Sequence, residues 1–382
     1  MRLFDPAIAD DPYPHYRQWR ENQPVFRDKE SRDWIISRHE DVLNALKNHK
    51  LFSSSAFAES EQSAVALPLL SDDPPRHTKL RALVNRAFTS RTLKEIEGGI
   101  GELSHKMVAS IETGTAVDIA EAFTIPLPVS VISQMMAIPL ERGEDFKRWS
   151  DALTGTSETT NMEERMPDIM AMAGFFSSLI PGRRENPGDD LISKIVNAEV
   201  DGERLSDEDI AGFCMLLLIA GNETTTNLLS NLLHHAASNP GVWEALRADR
   251  TKIDAAIEEI LRYDAPVQFV FRTVTEDIEL HGQKISAGDL AILIMGSANR
   301  DSDHHEAPDE FRLDRAPNSH LTFGHGIHFC IGAPLGRMEA RLALEAMLDR
   351  FASVRHAEKK NVRTHSHMLR GFHHLWLEFD PA

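Results

Sequence analysis

The feature that most restricts how this chain can fold is a stretch of about thirty residues, from Ser206 to Ser238, that reads as one uninterrupted helix. Ser206 followed by Asp209 has the spacing of a capping box, and Pro240 stops the helix. At 1.5 Å per residue the helix is ~45 Å long, enough to cross a whole molecule of this size. Its centre, "IAGFCMLLLIAGN" (210–222), is uncharged and apolar, so it is read as a buried helix. That centre is shorter than the ~20 residues a membrane span needs. The rest of the chain must therefore be arranged around a rod in its core.

Most of residues 75–265 also reads as helix, and a second apolar helix is expected from about Ala333 to Phe351. Strand signals are few and lie toward the two ends: "DWIISR" (33–38), "VFRTV" (270–274), "IELHG" (278–282), "LAILIM" (290–295) and "LWLEF" (375–379). The expected fold is mainly α with a minor β-sheet assembled from distant segments. No internal repeat or low-complexity linker marks a boundary, so residues 1–382 are expected to form a single domain. A net charge of −18 repels phosphate backbones and argues against nucleic acid as a partner. Two cysteines cannot build a disulfide framework and fit a reducing compartment. The opening "MRLFDPAIADDPYP" has no long apolar run and is read as neither signal peptide nor anchor. A cytoplasmic protein with no membrane segment is expected.

One of those cysteines lies in an unusual place. "FGHGIHFCIG" (323–332) puts Cys330 in a loop with three glycines, directly before the second apolar helix. Pro334 suits the first turn of that helix, where a missing N–H costs nothing. The unpaired amides and positive dipole end of the helix are expected to lower the Cys330 pKa and favour a metal-ligating thiolate. Gly324, Gly326 and Gly332 let the backbone pack closely, so that a flat cofactor can lie against it. Taken alone, Cys330 reads more readily as a buried packing cysteine, the reading also preferred for Cys214 in "FCMLLLIAG". Zinc is disfavoured because no second cysteine lies nearby.

The whole pattern Phe323-Gly324-x-Gly326-x-His328-x-Cys330-x-Gly332 resembles the cysteine-ligand loop of the cytochrome P-450 superfamily, the heme-thiolate monooxygenases. Further segments resemble that family in the family's order. "EEILRY" holds Glu259-x-x-Arg262, whose i,i+3 spacing puts both side chains on one helix face. "FRLDRAPNSHLTFG" (311–324) resembles the stretch before the cysteine loop, with Arg312 taken as a surface change. "DDPPRHTKLRALVNRAF" (72–88) resembles the helix that grips the heme propionates. At ~100° per residue, His77, Arg81, Val84 and Phe88 fall on one stripe, and Arg76, Lys79, Leu83 and Arg86 on the opposite side. "LLLIAGNETTTNLL" (216–229) resembles the long helix over the distal face of the heme. "NPGDDLIS" (186–193) and "ANRD" (298–301) are weaker matches, and "RGFHHLWLEF" departs from the family with His373 and His374.

The resemblance implies the triangular, mostly helical heme-thiolate fold and a heme b (Fe-protoporphyrin IX) whose iron takes Cys330 as its axial ligand. It implies that His77, Arg81, Arg272 and His328 bind the propionates, with Phe323 and Gly332 in the cofactor loop. Arg315 would join Glu259 and Arg262 in a charged triad supporting the proximal side. Glu223 and Thr224 would be the acid–threonine pair that delivers protons, with Gly221 leaving room for a diatomic ligand. The implied reaction inserts one oxygen atom from O2 into an apolar small molecule of terpenoid, fatty-acid or steroid type. The chain has no flavin or iron–sulfur motif of its own. Electrons are therefore expected from NAD(P)H through a ferredoxin-type donor, docked on a proximal face carrying Arg76, Lys79 and Arg86, adjoined by Arg337. A monomer is expected. Two rivals are a peroxide-driven enzyme, whose relatives usually lack the acid–threonine pair, and a heme-based gas sensor, which usually carries a signalling domain. The substrate pocket is expected to draw on residues 64–70 and 160–180, Leu216, Ala220, Val267 to Val270, Met368 and Leu369.

Overall fold

The computed structural model describes residues 2–55, 67–156, 161–200 and 202–382. Of the expected pocket residues, 64–66 and 160 lie outside the described ones. The long helix forms as predicted and runs Asp207–Ser238. Ser206 Oγ accepts the Asp209 amide at 3.0 Å, satisfying one of the otherwise unpaired N–H groups of the first turn. The reciprocal half of the capping box does not form, because the Asp209 carboxylate turns to Arg76. Pro240 ends the helix by opening the next one, where it occupies the first turn.

Around this rod lie, in chain order, α1 (Tyr13–Asn22), α2 (His39–Lys47), α3 (Arg76–Ala87), α4 (Ser90–Ala109), α5 (Pro126–Met135), α6 (Gly143–Thr154), α7 (Met162–Glu185) and α8 (Leu191–Val196). The rod itself is α9 (Asp207–Ser238), followed by α10 (Pro240–Ala248), α11 (Ile253–Tyr263) and α12 (Ala333–Arg350). The first half of α9 buries Ile210, Phe213, Cys214, Leu217 and Leu218 against α6, α7 and α8. The second half buries Leu228, Leu229, Leu232 and Leu233 against α10, α11 and α12. The helix is not apolar throughout: Asn222, Glu223, Thr226, Asn227 and Asn231 are also buried. Such groups are tolerated where they find partners. Thr226 Oγ1 donates to Thr124 O at 3.0 Å, and Asn231 Nδ2 donates to Asp264 O and Arg370 O, both at 2.9 Å. The rod is thereby tied to three separate segments.

The strands form two principal sheets rather than one. A five-stranded sheet joins β1 (Val25–Arg27), β2 (Trp34–Ile36), β3 (Phe52–Ser53), β5 (Val270–Val274) and β6 (Leu290–Leu293) in the order β1-β2-β6-β5-β3, with β4 (Val117–Asp118) belonging elsewhere. Strand β6 pairs parallel to β2 and antiparallel to β5. The second sheet has the order β7-β8-β4, with β7 (Phe351–His356) and β8 (Trp376–Pro381) paired antiparallel. "IELHG" joins neither sheet: Ile278–Leu280 pairs with Gln283–Ile285 in a hairpin of its own. "LWLEF" is a strand as predicted, but in the second sheet. Its partner β7 went unrecognised because it follows α12 without a turn signal, and Phe351 begins it instead of ending the helix.

On α3 the stripe reading is half right. His77 and Val84 are buried, while Arg76, Lys79 and Arg86 are exposed. Leu83, assigned to the exposed side, is buried, as is Leu80. The buried face is therefore wider than a single stripe. Leu67 and Leu69 supply part of its cover, packing in one cluster with Leu80 and Val84.

Candidate active site

Cys330 stands immediately before α12, and its amide donates to Phe323 O at 2.8 Å, closing the loop on itself. Gly324 and Gly326 have positive φ, 69° and 71°, which side-chain-bearing residues rarely adopt. Gly326 is constrained twice: a Cβ there would come within 2.8 Å of Leu46 O in α2. The loop therefore packs backbone to backbone against α2. Burial holds the Cys330 thiol above its ordinary pKa, although the Gly332 and Ala333 amides and the Arg81 and Arg337 guanidinium groups pull the other way. The expectation that the helix end lowers this pKa is corrected: its amides do act, but desolvation is larger. Cys214 is a packing residue, 1% exposed, with its thiol pushed up to about 12 by burial.

Glu259 on α11 centres a buried ionic knot with Arg262 and with Arg315, which comes from the segment before the cysteine loop. Glu259, fully buried, accepts from Arg262 Nε at 2.9 Å and Nη2 at 2.8 Å, and from Arg315 Nε at 3.0 and 3.1 Å. The Arg312 amide and Asn318 Nδ2 add bonds at 2.8 and 3.1 Å. Arg312 contributes its backbone to the knot while its side chain pairs with Asp314, so only the side chain is peripheral. Sequence reading missed Asn318, which carries no signal beyond its proximity to Arg315.

Four predicted cofactor-binding side chains come together on one side of the cysteine loop. His77 and His328 have ring centroids 4.5 Å apart. Burial and then Arg272 press the His328 pKa down to about 3, and burial followed by Arg81 lowers that of His77. Arg272, on β5, is 8% exposed, and burial lowers its pKa to about 10. It donates to Phe271 O at 2.6 Å and makes no ion pair among the described residues. Arg81 Nη2 donates to Phe329 O at 2.7 Å. Among the described residues, buried His77 Nε2 has no hydrogen-bond partner. The acid at this cluster, Asp73, is occupied by hydrogen bonds from Ser53, Ser54 and Ser55 and lies 3.9 Å from His328. The cluster is rich in donors and short of acceptors, a composition that suits an anionic group.

Helix α9 packs on α12, the helix that the cysteine loop opens, with Thr225 Oγ1 3.7 Å from where a Cβ would stand at Gly336. One line of i, i+4 residues on α9 is left uncovered. Leu216 and Thr224 are half-buried and Ala220 is exposed, with half-buried Ile219 and Gly221 beside it, in the middle of a helix that is mostly buried. Thr224 Oγ1 donates to Ala220 O at 2.7 Å, so its proton is committed and its lone pairs remain to accept. Gly221 does not open this side as expected: a Cβ there would meet Ile132 of α5 at 3.5 Å, an ordinary packing contact. Val267 and Leu369 form a β-bridge that brings two predicted pocket residues side by side.

Glu223 points away from Thr224, into a small polar pocket lined by Lys147, Asp151, Thr156, Thr226, Asn227 and His373. Lys147 Nζ lies 3.3 Å from its carboxylate and also bonds Asp151. Burial raises the Glu223 pKa, Lys147 opposes the shift and Asp151 adds to it. Lys147 and Asp151 were missed because a Lys and Asp at i,i+4 look like an ordinary surface pair.

The proximal face is less basic than the sequence suggests. Arg76 pairs with Asp72 and Asp209, and Arg337 makes a two-point bond with Glu258 at 2.6 and 2.8 Å. Arg86 remains exposed, bonding Glu199 O at 2.8 Å, and Phe329 beside Cys330 is exposed as well.

Comparison with known proteins accounts for this assembly. The family model described as Cytochrome P450 matches residues 160–372. The chain is 40% identical to the putative cytochrome P450 YjiB of Bacillus subtilis, over 90% of this chain and 88% of that one. It is 36% identical to the erythromycin C-12 hydroxylase of Saccharopolyspora erythraea, covering 93% and 91%. Among solved structures, CYP109E1 of Bacillus megaterium in complex with testosterone superimposes with a TM-score of 0.90 at 35% identity, covering 96% of this chain and 97% of that one. No helix among the described residues is long and apolar enough to cross a membrane. With the family model spanning more than half of the chain, and relatives 35–40% identical over nine-tenths of it or more, the chain belongs to the cytochrome P450 family of heme monooxygenases, which act on small molecules with O2.

Proposed function

We propose that this P450 holds heme b with Cys330 as the axial thiolate and uses Glu223 and Thr224 to deliver protons for the hydroxylation of an apolar, steroid-sized substrate. The observation that carries the cofactor assignment is the acceptor-poor cluster. Among the described residues, buried His77 Nε2 has no hydrogen-bond partner and Arg272 no ion pair, and the two propionates of a protoporphyrin would supply acceptors to both. Arg81 and His328 complete that grip, and Phe323 and Gly332 line the loop. Bound there, the heme iron supplies the activation of O2, for which a thiolate ligand favours O–O cleavage.

The chain's own residues supply the protons. Glu223 is held toward its protonated form by burial, so it can donate once it turns from Lys147 toward the half-buried Thr224. On the far side of Glu223, the Lys147 and Asp151 side chains are 23% and 17% exposed, which connects its pocket to solvent. Thr224 Oγ1, with its proton given to Ala220 O, accepts a hydrogen bond from a water on the uncovered side of α9. This acid–threonine pair favours an O2-dependent reaction over a peroxide-driven one.

Leu216, Ala220, Val270, Met368 and Leu369 give the substrate side an aliphatic lining. Of terpenoids, fatty acids and steroids, steroids rank first because the similar CYP109E1 was solved with testosterone. Electrons reach a cytoplasmic monomer from NAD(P)H through a ferredoxin, which docks over exposed Arg86, Lys79 and Phe329. The testing experiment is product formed per NAD(P)H consumed, with steroid substrates and a ferredoxin system. Thr224→Ala is expected to keep consuming NAD(P)H while releasing more hydrogen peroxide and less product. An unchanged ratio removes Thr224 from the relay.

A further inference from the structure

Outside the active site, His39, His304 and His305 converge. One ring nitrogen from each lies within 4.8 Å of the other two. His39 opens α2, and its amide donates to Asp301 Oδ2 at 2.8 Å. The amides of His304 and His305 both donate to Asp301 O, at 3.1 and 2.8 Å. Asp301 thus fixes the backbone of all three. His39 and His305 are 4% and 3% exposed, and the Nε2 of each is buried with no hydrogen-bond partner among the described residues. Two buried imidazoles in one cluster, each with an orphaned nitrogen, are costly without a ligand.

We propose that His39, His304 and His305 bind a divalent transition cation of the zinc, nickel or copper class, with water completing its shell. Imidazole nitrogen is the donor these ions prefer, and a neutral ring is the ligating form. The carboxylate of Asp301 adds favourable charge, while Lys47, Arg262 and Arg315 face the cluster from the cationic side. The two arginines are already bound to Glu259, which reduces their opposition. The His39 and His304 rings stack with centroids 3.4 Å apart and planes at 10°, so His304 must tilt for both lone pairs to reach one ion. It is exposed, and the bond its Nε2 makes to Ser319 Oγ at 2.7 Å is a surface bond that solvent can replace when the ring tilts. The bound ion ties α2 to the 301–305 turn. The same α2 backs the cysteine loop through Leu46 and Gly326, so occupancy stiffens the support of the heme site from a distance.

The test uses heme-loaded, tag-free protein stripped with a chelator, so that Cys330 is already engaged. Calorimetric titration with zinc chloride at pH 7.5 is expected to show one tight equivalent per chain. His304→Ala, exposed and safe for folding, and His305→Ala are each expected to weaken it by roughly tenfold or more. His281→Ala, whose exposed ring bonds Asp41, is expected to leave it unchanged. Zinc is also expected to raise the melting temperature of the wild type and not of the His304→Ala/His305→Ala double variant. Superimposable isotherms for wild type and double variant, or no binding below millimolar zinc, would overturn the proposal.

Discussion

Replacing Glu259 by Gln tests the buried ionic knot. The substitution keeps the shape but removes the carboxylate that Arg262 and Arg315 share in full burial. One of its two oxygens becomes an NH2 donor facing guanidinium donors. Breaking a buried ion pair from one side costs about 3–5 kcal/mol, because a charge is left uncompensated. Here the lower end applies. Arg262 keeps carbonyl acceptors at Asn299, Pro308 and Glu310, and Arg315 keeps those of Glu306, Ala307 and Glu310. The expected loss is about 3 kcal/mol. Unfolding entropy scales at ~2.1 cal/mol/K per residue, so 382 residues convert that loss into a midpoint roughly 4 °C lower. The assay is urea denaturation and thermal melting of heme-loaded protein, with Arg91→Ala, from an exposed i,i+4 pair with Glu95, as the control expected to change nothing measurable. A loss in Glu259→Gln below about 1 kcal/mol refutes the reasoning, because the knot would then be no stronger than a surface pair.

Three further outcomes follow from the buried titratable groups and the docking face. Burial raises the Glu339 pKa to about 8 and leaves its Oε2 unpartnered, so its folded pKa lies above its unfolded one and its stability contribution is lost as pH rises from about 4.5 to 8. Glu339→Gln is expected to stabilise the protein more at pH 8 than at pH 5, and equal gains contradict this. Burial depresses His234 to about 3 and His235 to about 4, so their contribution is complete above the unfolded value of ~6.5 and declines as pH falls through that window. The change in midpoint between pH 7 and pH 5 is expected to be less unfavourable in His234→Gln/His235→Gln than in the wild type, and identical changes would contradict that. Charge reversal at Lys79 and Arg86 is expected to slow ferredoxin-driven reduction, more at low salt than at high, with substrate affinity unchanged; a salt-independent rate would count against this face.

The long helix and the cysteine loop were legible because each rests on local chemistry. Ser206 and Pro240 mark helix ends wherever they occur, and Gly326 admits the approach of Leu46 that a side chain forbids. The helix face of His77 could be placed by rotation alone. The full width of the buried face could not, since it depends on what else packs on α3, Leu67 and Leu69 included. Strand β7 was hidden for a similar reason: its pairing with β8 is a tertiary event, and no turn separates it from α12. The Lys147 partner of Glu223 is 76 residues away in sequence and met only in the fold. The direction of the Cys330 shift was misjudged because a sequence displays the helix end and conceals the degree of burial.

The central claim is that Cys330 ligates the heme iron, and the most direct test is the carbon monoxide difference spectrum of the reduced protein. The wild type and Cys214→Ala, which alters only a packing position, are expected to give the thiolate-type Soret band, and Cys330→Ala is expected to lose it. A normal thiolate band in Cys330→Ala would contradict the account.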